Sequence, residues 1–389
     1  MVHKYSELDL MQARIKEVPN GWSFFPIAKT FKIRNDLRKP ISDEIRCTQQ
    51  GTYPYYGPTK IQDYIDTYEQ DGSFALIGED GDHFLKYKSQ SMTQLVDGKC
   101  TVNNHAHIIE GTKTASREWF YYYFMHRDIY SYLSRQGAGR YKLNKASLEK
   151  IYVLIPPSEE QNKIVQILST WDQAISATEK LLKNSQKQKK ALMQQLLTGK
   201  KRLLDENGVE FSDEWQRFSL GSIAKVYQPK TISQSELSSD GYPVYGANGI
   251  IGYYSDFNHE LEQIAVTCRG STCGVVNWTV PKSWITGNAM VINVDRSVLV
   301  DKKFLFYVLG YSDLKYLITG SGQPQITGDI KNHVVSLAPI EEQKNIAHIL
   351  TLADQEIDIF QNKIASLKQE KKALMQQLLT GKKRVKVAA

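Results

Sequence analysis

The chain has 389 residues, 49 Lys and Arg against 42 Asp and Glu, and a net charge of +7. Its 41% hydrophobic content is enough for real cores, and the length allows two or three domains. The four cysteines (Cys47, Cys100, Cys268 and Cys273) form no CxxC pair, which argues against a zinc framework, and no apolar run reaches the length of a membrane span. With a polar start, MVHKYSELDL, the expected location is the cytoplasm and no membrane partner is expected. The small basic excess permits nucleic-acid binding without establishing it.

In chain order, residues 1–20 read as an N-terminal arm with a helical pattern around Leu8–Val18. A first globular region is expected over 21–157. Strands are predicted at Phe74–Asp82 and His105–Thr112, where β-branched residues meet Gly and Asp turns, and an aromatic helix is predicted at Trp119–Leu133. A long helix is predicted over 158–199. A second globular region, 200–338, opens with the polar link Arg202–Trp215 and repeats the landmarks of the first. YPYYG at Tyr53–Gly57 is matched by YPVYG at Tyr242–Gly246, and GAGRYKL at Gly137–Leu143 by GSGQPQI at Gly320–Ile326. Phe304–Leu317 takes the place of the aromatic helix. A second long helix is predicted over 339–381, and a basic tail occupies 382–389.

The repeat governs the chain. KKALMQQLLTGKKR occurs at Lys189–Arg202 and again at Lys371–Arg384. At the same shift, PPSEEQNKIVQIL (Pro156–Leu168) meets APIEEQKNIAHIL (Ala338–Leu350), and Asp172-Gln173 meets Asp354-Gln355. Two copies exclude a solenoid and indicate a duplicated pair of units. Pro157 and Pro339 with the glutamates behind them suit helix starts, and Gly199 and Gly381 suit helix stops. The apolar positions follow a heptad seam: Ile164, Leu168, Trp171, Ile175, Leu182, Leu192 and Leu196 in the first helix, and Ile346, Leu350, Ile357, Phe360, Ile364, Leu374 and Leu378 in the second. Both seams carry a lysine, Lys189 and Lys371, at the same place. Antiparallel packing is expected, with Ile164 opposite Leu378, Trp171 opposite Lys371 and Lys189 opposite Ala353. Each lysine stem would lie along its apolar partner and turn its charge to water.

No catalytic constellation is visible. Pro156-Pro157 is followed by Ser158, so the Asn/Asp-Pro-Pro-aromatic loop that holds a flipped adenine is missing, and Gly199-Lys200 lacks the upstream glycine of a P-loop. His105 and His107 share a strand face but gather no further ligands, so ordinary strand histidines and no metal site are expected. Binding chemistry is better represented. Among 22 tyrosines, several adjoin Gly, Pro and basic residues. The candidate DNA contacts are Tyr56, Lys60, Arg140, Lys142, Tyr245, Asn248, Arg269, Gln323 and Gln325. Arg and Lys can pair guanine edges or phosphates, and Asn and Gln can pair adenine edges.

The doubled pattern P-x-EEQ-x-x-I-x-x-I-L, long helix, LLTGK, following each of two variable regions, resembles the specificity subunit of type I restriction-modification enzymes. FSDEWQRFSLGSIAKV at Phe211–Val226 is similar to the start of one of that family's target recognition domains. The resemblance implies an α+β chain with internal pseudo-twofold duplication. Two mixed α/β target recognition domains, 21–157 and 200–338, would be separated by a central (158–199) and a distal (339–381) conserved helix packed as an antiparallel coiled coil. Each domain would read half of a split, asymmetric sequence in double-stranded DNA. The implied partners are two modification (adenine methyltransferase) subunits and ATP-driven restriction subunits. S-adenosylmethionine, ATP and Mg would sit on those partners, with no cofactor and no chemistry in this chain. One departure is Arg140, where the second unit has Gln323, the residue expected of the family. The runner-up reading is an orphan DNA-binding scaffold that redirects or regulates another modification system.

Overall fold

The computed structural model describes residues 6–136, 140–247, 249–320 and 322–386. It divides into two units, one built from residues 1–177 with 364–389 and the other from 178–363. Each unit holds one globular domain and one segment from each long helix. The helices run over Ser158–Leu196 and Ile340–Leu378, each ending three residues before a glycine with positive φ, Gly199 (66°) or Gly381 (69°). Regular helix therefore stops short of the expected 199 and 381, and the glycines form the stop itself.

In the first unit, Ser23–Pro26 pairs antiparallel with Tyr152–Ile155, so the two ends of the domain close on each other beside the helix start. A six-stranded sheet follows the order Lys32–Ile33, Ala106–Glu110, Gln70–Gly78, Thr93–Val102, Gln50–Tyr56, Ile61–Ile65. All its pairings are antiparallel except that of Gln50–Tyr56 with Thr93–Val102. The aromatic helix spans only Arg117–Phe124. It ends before the expected Leu133 because Met125 O accepts from Met92 N (3.1 Å) and Asp128 starts a new turn by accepting from Tyr130 N (3.0 Å). Ser116 caps its start, and Trp119, Phe120, Tyr122, Tyr123 and Phe124 are all buried. In the arm, regular helix covers only Glu7–Gln12, behind Ser6 as N-cap.

The second unit repeats this plan. Gln216–Ser219 pairs with Val334–Leu337. One sheet has the order Lys225–Tyr227, Ala289–Asn293, Ile264–Thr267, Val276–Trp278, and a second has Gly249–Tyr254, Tyr242–Gly246, Trp284–Ile285. Tyr242–Gly246 pairs parallel with Trp284–Ile285, as Gln50–Tyr56 does with Thr93–Val102 in the first unit. Both YPxYG motifs thus lie on strands, with Gly57 just past the end of its strand and Gly246 at the end of its own. The second aromatic helix is Lys302–Tyr311, capped by Asp301. The α+β class and the duplication into two mixed domains with antiparallel helix segments are as expected.

Candidate nucleic-acid interface

Each unit fastens its domain to the helices with the same two locks. In the first unit, Glu160 at the start of one helix accepts two hydrogen bonds from Arg384 past the end of the other (2.6 Å each) and one from Trp22 Nε1 (2.9 Å). Burial pushes the Glu160 carboxyl up, but the Arg384 and Trp22 hydrogen bonds outweigh it and hold it below the ordinary value. In the second unit, Glu342 accepts from Arg202 (2.9 and 2.8 Å) and Trp215 Nε1 (3.2 Å). The neighbouring glutamines reach back into the domains: Gln161 accepts from Ser116 N (2.7 Å), and Gln343 accepts from Asp301 N (2.9 Å). Further along, Asp172 binds the Lys371 ammonium and the Tyr122 hydroxyl (2.8 Å), and Asp354 binds Lys189 and Tyr307 (2.7 Å). Each ammonium also lies over its tyrosine ring, at 5.3 and 5.5 Å. Burial, followed by the Asp172 charge, pushes the Tyr122 hydroxyl up, so it remains a donor.

These contacts run antiparallel in both units. The lysines meet Asp172 and Asp354, one residue past the expected Trp171 and Ala353. Their charges do not turn to water: Lys371 is buried and Lys189 half-buried, each against a carboxylate. An ammonium on a seam between helices loses hydration, so a carboxylate partner replaces the expected snorkel.

Within each domain, four backbone hydrogen bonds recur in matching positions. Asn103 N donates to Tyr56 O (3.0 Å), as Thr286 N does to Tyr245 O (2.9 Å). Glu79 N donates to His105 O (2.8 Å), as Cys268 N does to Asn288 O (3.0 Å). Leu143 N donates to Glu79 O (2.7 Å), as Ile326 N does to Cys268 O (3.0 Å). Gly81 N donates to Tyr141 O (3.1 Å), as Gly270 N does to Pro324 O (3.0 Å). In each domain this frame ties a hairpin, Ser134–Gln136 with Arg140–Lys142 or Ile318–Thr319 with Gln325–Ile326, to the turn after a central strand. Asp80 faces Lys142 in one frame and Arg269 faces Gln325 in the other. The result is a backbone frame common to both domains that carries different side chains, with Arg140, Arg269, Gln323 and Gln325 exposed.

Residues 19–188 and again 212–369 match the family described as the type I restriction modification DNA specificity domain. The chain belongs to that family. A putative type I restriction enzyme specificity subunit of Haemophilus influenzae is 28% identical over 84% of this chain and 86% of its own length. The type I restriction enzyme MjaVIII specificity subunit of Methanocaldococcus jannaschii is 24% identical over 98% and 97%. The crystal structure of the S subunit from a type I restriction-modification system of M. genitalium shares the fold with a TM-score of 0.68 at 16% identity, over 97% of this chain and all of that one.

Against this specificity-subunit frame, the candidate contacts separate. Arg140, Gln323 and Gln325 are exposed on the two hairpins, Arg269 is exposed on the turn facing Gln325, and Lys60 is exposed in the turn closed by Gly57 N to Lys60 O (2.9 Å). Asn248 lies outside the described residues, as do 137–139 of the first hairpin. Tyr245 is not available to a base: it is buried, and its hydroxyl accepts from Val280 N (3.2 Å). Strand alternation turns it inward into a cluster with Ala265, Ile285, Ala289 and Val291. Tyr56 is half-buried against the Phe74 cluster, and burial raises its hydroxyl pKa. Lys142 is half-buried and its ammonium lies 3.3 Å from Glu79, which Arg38 also binds. Burial pushes the Glu79 carboxyl up, but these cations outweigh it and hold it low, so Lys142 already has a carboxylate partner within the domain, one it shares with Arg38. His107 is buried, donating from Nε2 to Leu143 O (2.7 Å), while His105 is half exposed and bonds Asp80 through Nδ1 (2.8 Å). Among the described residues no cluster of three or more metal-ligating side chains occurs, and no helix is long and apolar enough to cross a membrane.

The seam residues divide between the units. Ile164, Leu168, Ile175, Ile364 and Leu378 are buried in the first, with Trp171 and Leu374 half-buried; Leu196, Ile346 and Leu350 are buried in the second, with Leu182, Leu192, Ile357 and Phe360 half-buried. Sequence reasoning missed the partners of Arg202 and Arg384. Both arginines stand in the repeat, and each pairs with a glutamate in the opposite helix's EEQ motif. The signal was present, since both motifs recur at one shift.

Proposed function

We propose that this chain is the DNA-reading, non-catalytic subunit of a type I restriction-modification complex. Each domain reads one half of a bipartite, asymmetric target in double-stranded DNA. The repeated locks present two equivalent stations for two adenine-methylating modification subunits, and restriction subunits join through them. S-adenosylmethionine, ATP and Mg belong to those partners. The observation that carries this reading is a backbone frame repeated bond for bond, with helix locks conserved between the copies and edge side chains that differ. Equal docking with unequal reading is what two partners on one asymmetric target need.

The test is a replacement of Trp22–Ile155 by the matching region of a relative, in a host that also makes the modification subunit. Mapping methylated adenines should show one half-site changed and the other kept; both changing together would reject the assignment of one half-site to each domain. Within this frame, Arg140→Ala or Gln323→Ala at a base edge should cost about 1–3 kcal/mol and relax one base pair. At a phosphate, the same change would weaken binding on all sequences and flatten its salt dependence.

A further inference from the structure

The matched frames place unlike chemistry at one position. Asp80 in the first domain occupies the place of Arg269 in the second, because the bonds on either side of each, at 79 and 81 and at 268 and 270, are the same. By the same register His105 stands where Asn288 stands. Asp80 and His105 are joined by a 2.8 Å hydrogen bond at the domain surface, the His105 side chain being 47% exposed and that of Asp80 26%. Neither is absorbed by the buried network next to it, where Glu79 takes Arg38 and Lys142.

The contact between the two sets which ring nitrogen donates. The Asp80 carboxylate accepts, so His105 donates from Nδ1, and the imidazole tautomer that carries its one proton there presents Nε2 as a second acceptor. Arg269 can only donate. In the major groove, cytosine and adenine present exocyclic amino donors, while guanine presents the acceptors O6 and N7. We propose that Asp80 and His105 form a base-reading pair that selects an amino-bearing base, cytosine or adenine, in the first half-site, where Arg269 selects guanine in the second. This rests on the assignment of one half-site to each domain.

The experiment uses the full chain with its modification subunit, reading the methylated motif genome-wide in Asp80→Asn, His105→Gln and Arg269→Ala. The first two should each lower discrimination for cytosine or adenine at one position of the first half-site, by about ten- to a hundredfold. The second half-site should be untouched. Arg269→Ala should relax a guanine in the second half-site alone. Asp80→Arg should shift the first-domain position towards guanine. If a variant methylates nothing, the purified complex is titrated with oligonucleotides carrying each base at each half-site position. Loss of preference at one position then supports the proposal, and equal weakening on every oligonucleotide overturns it. An unchanged motif in both Asp80→Asn and His105→Gln, or a guanine at the affected position, also overturns it. The domain replacement reads independently, so a half-site assignment that holds while the point variants fail rejects this pair alone.

Discussion

The two units are most alike at the helix ends and least alike at the domain edges. At the ends, the same five residue types recur: Glu160 or Glu342, Arg384 or Arg202, Trp22 or Trp215, Asp172 or Asp354, and Lys371 or Lys189. At the edges, the frames carry different side chains: Asp80 stands where Arg269 stands, and Arg140 where Gln323 stands. Glu79 in the first unit is held by Arg38 and Lys142, whereas Cys268 at its place in the second takes a hydrogen bond from Gln228 Nε2 (3.1 Å). Glu79 and Cys268 show that even a largely buried frame position can change when its whole set of partners changes with it, while burial explains why the locks recur. A buried ion pair tolerates no single change, because either partner left alone is an uncompensated charge. An exposed edge position can change its side chain at a cost within about 0.5 kcal/mol, so recognition can diverge there while the backbone stays fixed.

The largest test of that comparison is removal of the lock carboxylates. The Glu342 side chain is fully buried and its Arg202 partner 17% exposed, while Arg384, the partner of Glu160, is 44% exposed. Glu342→Ala strands a guanidinium and an indole N–H, and should cost about 3–5 kcal/mol. Glu160→Ala should cost roughly 2 kcal/mol, because water can reach Arg384. Urea unfolding followed by tryptophan fluorescence reads both, since Trp22 and Trp215 sit in the locks. A larger loss for Glu160→Ala would mean that exposure does not set the order.

Acid should next separate the units through His83. Burial pushes this imidazole down to about 4, and its Nε2 has no hydrogen-bond partner among the described residues. The unfolded chain then binds the proton first, so stability falls as pH drops below about 6.5 and levels near the folded value. The full effect approaches about 3 kcal/mol. His83→Leu should flatten that part of the first unit's pH–stability curve; an unaltered slope would place the acid sensitivity elsewhere.

The smallest effect belongs to the inner locks. Asp172→Ala leaves Lys371, 9% exposed, without its carboxylate, whereas Asp354→Ala leaves Lys189 at 22%. The first should cost about 1–2 kcal/mol and the second under about 1 kcal/mol. Equal midpoint shifts would show that ring contacts with Tyr122 and Tyr307 carry the lysines instead.

The sequence by itself determined the duplication, the two long helices, the mixed domains and the family. Those features are local or periodic: a heptad seam, a proline at a helix start, a glycine three residues past a helix end, and a motif repeated at one shift. What it could not supply were partners far apart in the chain. Trp22 lies 138 residues from Glu160, and Arg384 lies 224 away, so only the packing of the helices brings them together. The candidate edge was legible only in part for the same reason. Arg140, Arg269, Gln323 and Gln325 were found as exposed polar residues near glycines, and they are exposed. Tyr245 has the same kind of neighbours but alternates inward, and Lys142 is drawn to a carboxylate 63 positions earlier in the numbering, Glu79. Asp80 carries no motif, and His105, weighed only with His107, reads in the sequence as an ordinary strand histidine. Only strand register and the hairpin's hydrogen bonds set them where Arg269 and Asn288 stand in the other domain, because a side chain's neighbours across a sheet are decided by pairing between distant segments.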